Sequence, residues 1–250
     1  MSEYNKFGFL TSNAIKILAC IFMTFDHVGL AFFSQIPVFR IIGRIAFPLF
    51  AFLIAEGCKY TKNKIKRLGM IGSLGVIFLL FYYVYDGRIY GNIFLTFSVS
   101  IGIIYVFDFC KKLVFKSKRV INILVGIFLP WITVTLAYFL YEAVYFEYGF
   151  AGMMLPVVVS LVNFRNIDAP KLLHKLDCHA VKLILMSLWM LLLCYKPNLG
   201  DIQYFCFLSI PILIFYNGQA GSKKLKYLFY IFYPAHLVII EGISLLLKYI

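Results

Sequence analysis

The chain has 250 residues, 62% of them hydrophobic and only 14% charged, with a mean hydropathy of +0.89 and a formal net charge of +13. Soluble domains run at roughly 45–50% apolar and about 25% charged, so the composition excludes a soluble globular protein and predicts an integral membrane one. The basic residues lie in short loops between apolar segments, which makes them topology signals and not a nucleic-acid surface; no nucleic-acid partner is expected.

Apolar runs bounded by polar loops predict nine spans, near 12 to 33, 41 to 58, 68 to 85, 92 to 110, 120 to 141, 149 to 163, 181 to 195, 202 to 216 and 227 to 247. This is an all-α, polytopic membrane helical bundle, and no linker divides it, so residues 1–250 read as one domain in the lipid bilayer. The segments 59 to 67, 111 to 119, 163 to 182 and 217 to 226 hold 17 of the 24 Lys and Arg residues, while the alternate connections hold only Arg40, Arg44, Arg88 and Lys196. The positive-inside rule then puts the amino terminus and the four basic loops in the cytoplasm and the carboxyl terminus outside, in the cell (inner) membrane.

The first span carries Asp26 and His27 inside FMTFDHVGLAFF. An ionisable residue in hydrocarbon costs about 2.5–3.5 kcal/mol even on the lenient insertion scale, so such residues mark functional interiors. The span is too long for a signal peptide, contains an acid and an imidazole, and lacks a small-residue cleavage site, so it is expected to stay uncleaved. Asp26 and His27 point about 100° apart on a helix; the acid is better placed to neutralise Arg40 or Arg44, which share one face of the second span. Glu56, at the inner end of that span, is expected to form an interfacial pair with Lys59 or Lys62. Asn92 and Thr96 start the fourth span one turn apart, either as oxyanion donors or as helix caps. Tyr148, in EYG, is a second outer polar point.

The six cysteines are scattered, and His174, Cys178 and His179 in a polar loop have no matching partner, so no metal site is expected. In YNGQAGSKKLKY, Gly218 and Gly221 could let backbone amides approach phosphate while Lys223 and Lys224 balance its charge; the alternative is an ordinary turn with topogenic lysines. The last span carries Pro234 and His236, where the proline should free a carbonyl that the imidazole could cap.

Six ordered segments resemble the TraX family of membrane proteins, within the wider group of transmembrane acyltransferases: LTSNAIKILACIFMTFDHVG, FRIIGRIAFPLFAFLIAEG, GNIFLTFSVSIG, EYGFAGMMLPV, FYNGQAG and YLFYIFYPAHL. The matching positions include Asp26, His27, Arg44, Pro48, Glu56, Gly57, Asn92, Thr96, Tyr148, Gly149, Gly152, Asn217, Gly218, Tyr233, Pro234 and His236, with Glu147 departing from an expected Asp. The resemblance implies acetyl transfer from acetyl-CoA to an amine or hydroxyl of a peptide (in the family's named member, a pilin amino terminus) or of a surface glycan.

On that reading His27 is the general base and His236 a second acid/base or relay. Asp26, Arg40 and Arg44 order the site, with Tyr148 as further support, Asn92 and Thr96 stabilise the oxyanion, and Asn217, Gly218, Lys223 and Lys224 hold the acetyl-CoA phosphates. The competing class is a proton-coupled transporter or flippase using the same buried charges, disfavoured by the lack of an internal repeat and by the odd number of spans.

Overall fold

The computed structural model describes residues 8–87, 89–165, 167–195, 201–222, 225 and 228–248, and its fold is all-α. Two compact units divide the chain: Met1–Leu53 with Met190–Ile250, and Ile54–Trp189.

The first unit opens with α1 (Ser12–Phe32), capped by Thr11, whose side-chain oxygen accepts from the Ala14 N–H and so satisfies an otherwise orphan donor. After it, α2 (Pro37–Gly43) begins on proline, whose fixed φ suits the first helical position. A turn at Arg44 and Ile45 separates α2 from α3 (Ala46–Tyr60). Pro48 breaks nothing there, because it falls in a first turn where the N–H has no intrahelical acceptor. Glycines set the close packing of α1 on α2: a Cβ on Gly29 would overlap the Phe39 side chain, and one on Gly43 would overlap Asp26. The unit continues with a 3₁₀ segment (Asp201–Leu208) that runs into α10 (Ser209–Ile214), and ends in α11 (Leu228–Lys248). Asn13 meets Ser222 and, further along both segments, His27 meets His236, so α1 and α11 run parallel. Ile15, Ala19, Leu49, Phe52 and Leu213 are fully buried and form its core.

In the second unit, α4 (Lys64–Asp86) starts at an Asn63 cap and ends at Gly87, whose φ of 68° is the left-handed terminator that glycine supplies freely. The unit is centred on α5 (Ile93–Lys116), which packs against α4, α6 (Val120–Ala143) and α7 (Gly149–Ser160). Phe94, Phe97, Ile101, Ile104, Met153 and Leu155 are its fully buried core. Two parallel two-residue strands, β1 (Tyr90–Gly91) and β2 (Tyr145–Phe146), tie the start of α5 to the start of α7. Next come α8 (Lys171–Leu176) and α9 (His179–Cys194). Large side chains stay exposed on α4 (Ile77, Phe81, Val84) and α6 (Phe128, Trp131, Phe139), as expected of faces that contact hydrocarbon instead of water.

Among the described residues, six helices are long and apolar enough to cross a membrane: Ser12–Phe32, Pro37–Tyr60, Lys64–Tyr85, Ile93–Lys116, Val120–Ala143 and Tyr230–Leu247. The other three expected spans correspond to shorter apolar helices at Gly149–Ser160, His179–Cys194 and Ile202–Ile214. At about 1.5 Å per residue the 12-residue α7 reaches only about 18 Å, short of a hydrocarbon core of about 30 Å.

Candidate functional site

Asp26 is the centre of the polar cluster in the first unit. Its carboxylate accepts from Arg40 Nη1 at 3.1 Å and from Arg44 Nη2 at 2.7 Å on both oxygens. Arg40 lies in α2 and Arg44 caps it four residues later, so both reach the same face of α1. Arg44 is buried and its Nη1 also donates to Gln203 Oε1 at 3.4 Å.

Gln203 is absent from the sequence-based site. It is fully buried, and its Nε2 has no hydrogen-bond partner among the described residues. Its signal was available: a lone amide in the apolar run IQYFCFLSI, where an uncharged polar group draws less attention than an acid or a histidine.

Next to Asp26, the half-buried His27 faces His236 of α11, with ring centroids 5.0 Å apart and planes at 60°. His236 is buried, with Phe232 stacked on it at 5.2 Å and Tyr233 edge-on at 5.5 Å. Its Nδ1 lies 3.0 Å from the Phe232 carbonyl oxygen. A carbonyl only accepts, so Nδ1 carries the proton and Nε2 is left with a lone pair. That Nε2 is buried with no hydrogen-bond partner among the described residues. The carbonyl engaged is Phe232's, four residues before the histidine, and not that of Tyr230, whose helical donor Pro234 removes.

The FYNGQAG loop braces the start of α1. Leu10 N–H donates to Phe215 O at 2.9 Å, Asn217 N–H to Leu10 O at 3.0 Å, Ser12 N–H to Gln219 O at 2.8 Å, and Asn13 Nδ2 to Ser222 O at 2.6 Å. Asn217 Oδ1 accepts from the Gln219 N–H at 2.9 Å. Gly218 and Gly221 have φ of 76° and 80°, and a Cβ on Gly221 would stand 3.0 Å from both Thr11 Oγ1 and Asn13 Nδ2, so only glycine fits comfortably there. Lys223 and Lys224 lie outside the described residues.

The other expected site residues, Asn92, Thr96 and Tyr148, belong to the second unit. Asn92 is the N-cap of α5: its Oδ1 accepts from Phe94 and Leu95 N–H, and its Nδ2 donates to Gly75 O at 2.8 Å. Thr96 Oγ1 lies 3.2 Å from Asn92 O and 3.3 Å from Glu147 O. Both side chains are buried, and the Asn92 amide and the Thr96 hydroxyl each already donate to a backbone carbonyl, which favours the cap over the oxyanion role. Tyr148 precedes α7 with φ of 60°, a left-handed conformation unusual for a bulky residue, and Gly149 follows at 61°.

Glu56 has a partner that the sequence did not suggest. Glu56 pairs with Lys182 at 2.8 Å, while Lys59 pairs with Asp177 at 2.9 Å, and Lys182 also lies 3.3 Å from Asp177. All four residues lie in the second unit with their charged side chains buried, so they form one network in the protein interior. Lys182 reads in the sequence as one more loop lysine; the fold buries it completely because two carboxylates compensate it.

No solved structure matches the chain. It is 25% identical over 260 residues to the "Probable fimbrial assembly protein FimC, serogroup H1" of Dichelobacter nodosus, covering 94% of this chain and 96% of that one. A 38-residue stretch, 15% of each chain, is 53% identical to "Uncharacterized protein RP591" of Rickettsia prowazekii (strain Madrid E). The TraX protein family model matches residues 11–244, a stretch that contains the Asp26–Arg44 cluster, the histidine pair and the FYNGQAG loop, and the chain therefore belongs to the TraX family.

Proposed function

We propose that the protein is a membrane-embedded acetyltransferase that moves the acetyl group of cytoplasmic acetyl-CoA to an amine or hydroxyl of an acceptor nearer the outer face. The observation that carries this reading is His236: a buried imidazole whose Nδ1–H is held by a backbone carbonyl and whose bare Nε2 sits beside a second histidine. A neutral, oriented imidazole is what general-base catalysis near neutral pH requires. Family membership supports the same chemistry, and the relative's name associates that protein with fimbrial assembly, which makes a subunit amino terminus one candidate acceptor and a surface glycan another.

On this reading the two histidine roles expected from sequence are exchanged. His236 Nε2 takes the proton of the acceptor N–H or O–H as its nitrogen or oxygen attacks the thioester carbonyl. The new C–N or C–O bond forms, the C–S bond breaks, and the leaving thiolate is protonated from the histidine pair. Arg44 and the Gln203 amide are the donors suited to the developing oxyanion. Asp26 keeps Arg44 in place.

The reading includes nine spans, a cytoplasmic amino terminus, a location in the inner membrane, one functional domain, and acetyl-CoA phosphates held by Asn217, Gly218, Lys223 and Lys224. The test is release of free CoA thiol from acetyl-CoA by purified protein in detergent. His236→Gln should lower turnover about 10²–10⁴-fold, the usual loss for a general base, and His27→Gln by less. Full activity in His236→Gln would overturn the assignment, and no thioester cleavage under any condition would favour a transporter. Lys223→Ala with Lys224→Ala should raise the acetyl-CoA requirement several-fold while sparing maximal turnover.

A further inference from the structure

A cavity of about 500 Å³ opens on the first unit beside the histidine pair. Ile17, Ile21, Phe25 and Val28 form one stripe of α1 along it, and Phe39 of α2 and Phe232 of α11 complete the wall. The wall offers almost nothing polar: the Thr24 hydroxyl in it donates to the Cys20 carbonyl at 3.0 Å. Ile17, Ile21 and Phe25 remain about two-fifths exposed, so the cavity opens sideways to whatever surrounds α1. Around a membrane-spanning helix that medium is lipid.

Its dimensions choose the occupant. From Ile17 to Val28 the groove runs about 16 Å along α1, about half of a hydrocarbon core and so the depth of one leaflet. An α-helix about 10 Å across would stand largely outside a groove of this size. The pantetheine arm of CoA carries two amides, which an apolar wall would leave without hydrogen bonds. A single hydrocarbon chain suits both the volume and the wall.

At one end the groove lies next to the polar site, whose own residues do not line it. Phe232 lines it and stacks on His236, Val28 follows His27, and Phe39 precedes Arg40. Arg40 keeps 31% of its side chain exposed while Nη1 pairs with Asp26. A guanidinium has five N–H donors, so it can also take a phosphate oxygen.

We propose that this groove seats one acyl chain of a membrane lipid whose anionic head group is held by Arg40 and presents the acceptor hydroxyl or amine to His27 and His236. The presentation of an acceptor rests on the acetyl-transfer reading; the lipid seat does not.

The probe is an anionic phospholipid with a photoactivatable diazirine in one acyl chain, added to the protein in phosphatidylcholine nanodiscs, with labelled peptides mapped by mass spectrometry. Labelling is expected to concentrate several-fold on the 17–28 and 228–236 segments over the exposed faces of α4 and α6. Ile21→Trp, which fills the groove at a half-exposed position, should lower it about tenfold, as should Ile17→Trp. Ile77→Trp on α4 should leave it unchanged. Arg40→Gln should abolish the preference for the anionic probe over a zwitterionic one. Labelling spread in proportion to exposed area, or unchanged by either groove-filling variant, would overturn the seat. Displacement of the label by a single-span peptide of about 20 residues would replace lipid by a helix and overturn it equally. Concentrated labelling in a protein that cleaves no acetyl-CoA would sink the acetyl-transfer reading and leave the lipid seat standing; thioester cleavage with evenly spread labelling would do the reverse.

Discussion

Asp26 answers two guanidinium groups from inside an apolar helix, and the balance among the three residues decides what each substitution does. Removing one partner of a buried pair leaves an uncompensated charge, at about 3–5 kcal/mol, so Asp26→Asn should lower the unfolding temperature in detergent sharply. Arg40→Gln should lower it far less, because Arg40 is partly exposed and the Asp26–Arg44 bonds survive. Asp26→Asn with Arg44→Gln should recover part of the loss; a double variant no better than Asp26→Asn alone would show that Arg44 is compensated elsewhere. This cluster was legible in the sequence because an acid in an apolar run demands a counter-charge, and Arg40 and Arg44 offered one on a single helix face. Gln203 and Lys182 were not. An uncharged amide leaves no imbalance to notice, and a lysine beside a basic loop looks like a topology signal until the fold brings Glu56 and Asp177 to it.

At the scale of elements, caps and tight turns explain residues that the sequence left between structure and catalysis. Asn92 as a helix cap and Asn92 as an oxyanion donor require the same residue at the same place, and what separates them is whether its N–H groups already have acceptors. Gly75 supplies one. Asn92→Ala should therefore destabilise by about 1–2 kcal/mol, read as a lower unfolding temperature, with thioester turnover per folded molecule unchanged. A 10²-fold fall in turnover without loss of stability would restore the oxyanion role. Gly149→Ala forces a Cβ into a left-handed conformation at φ of 61° and should destabilise by about 1–2 kcal/mol. Helix lengths were less legible than helix positions. An apolar run reports what surrounds a segment, but it does not show that the helix ends early, as α7 does at Ser160, or that it begins as a 3₁₀ turn, as the Asp201–Leu208 segment does.

Across the whole molecule, charge sets both acid stability and topology. Burial alone would raise the Asp177 carboxyl, but Lys182, Lys59 and the Phe164 N–H outweigh it and hold the group below the usual carboxylate range. A depressed folded value adds stability above the unfolded value of about 3.9, and that stability is lost as pH falls through the folded value. The unfolding temperature should accordingly stay level from about pH 7 to 5 on this group's account and fall below about pH 4. Asp177→Asn should lower it at neutral pH and flatten the acid limb; an unchanged acid limb would assign acid sensitivity to other carboxylates. The proposed topology rests on the 17 basic residues in one set of loops against four in the other. Those loops alternate correctly if all three shorter apolar helices carry the chain across, or if α7 alone does, whereas six crossings alone would put some basic loops on the wrong side. All six native cysteines are free, so they can be replaced before a single cysteine is placed at Lys116 or at Asp201. In intact cells an impermeant thiol reagent should leave position 116 unlabelled and modify position 201. Labelling at 116 alone would invert the protein and move the histidine pair towards the cytoplasmic side. Protection at both positions would mean that at least one of the shorter helices between them turns back within the membrane, and the nine-span arrangement would fail while the six long spans remained.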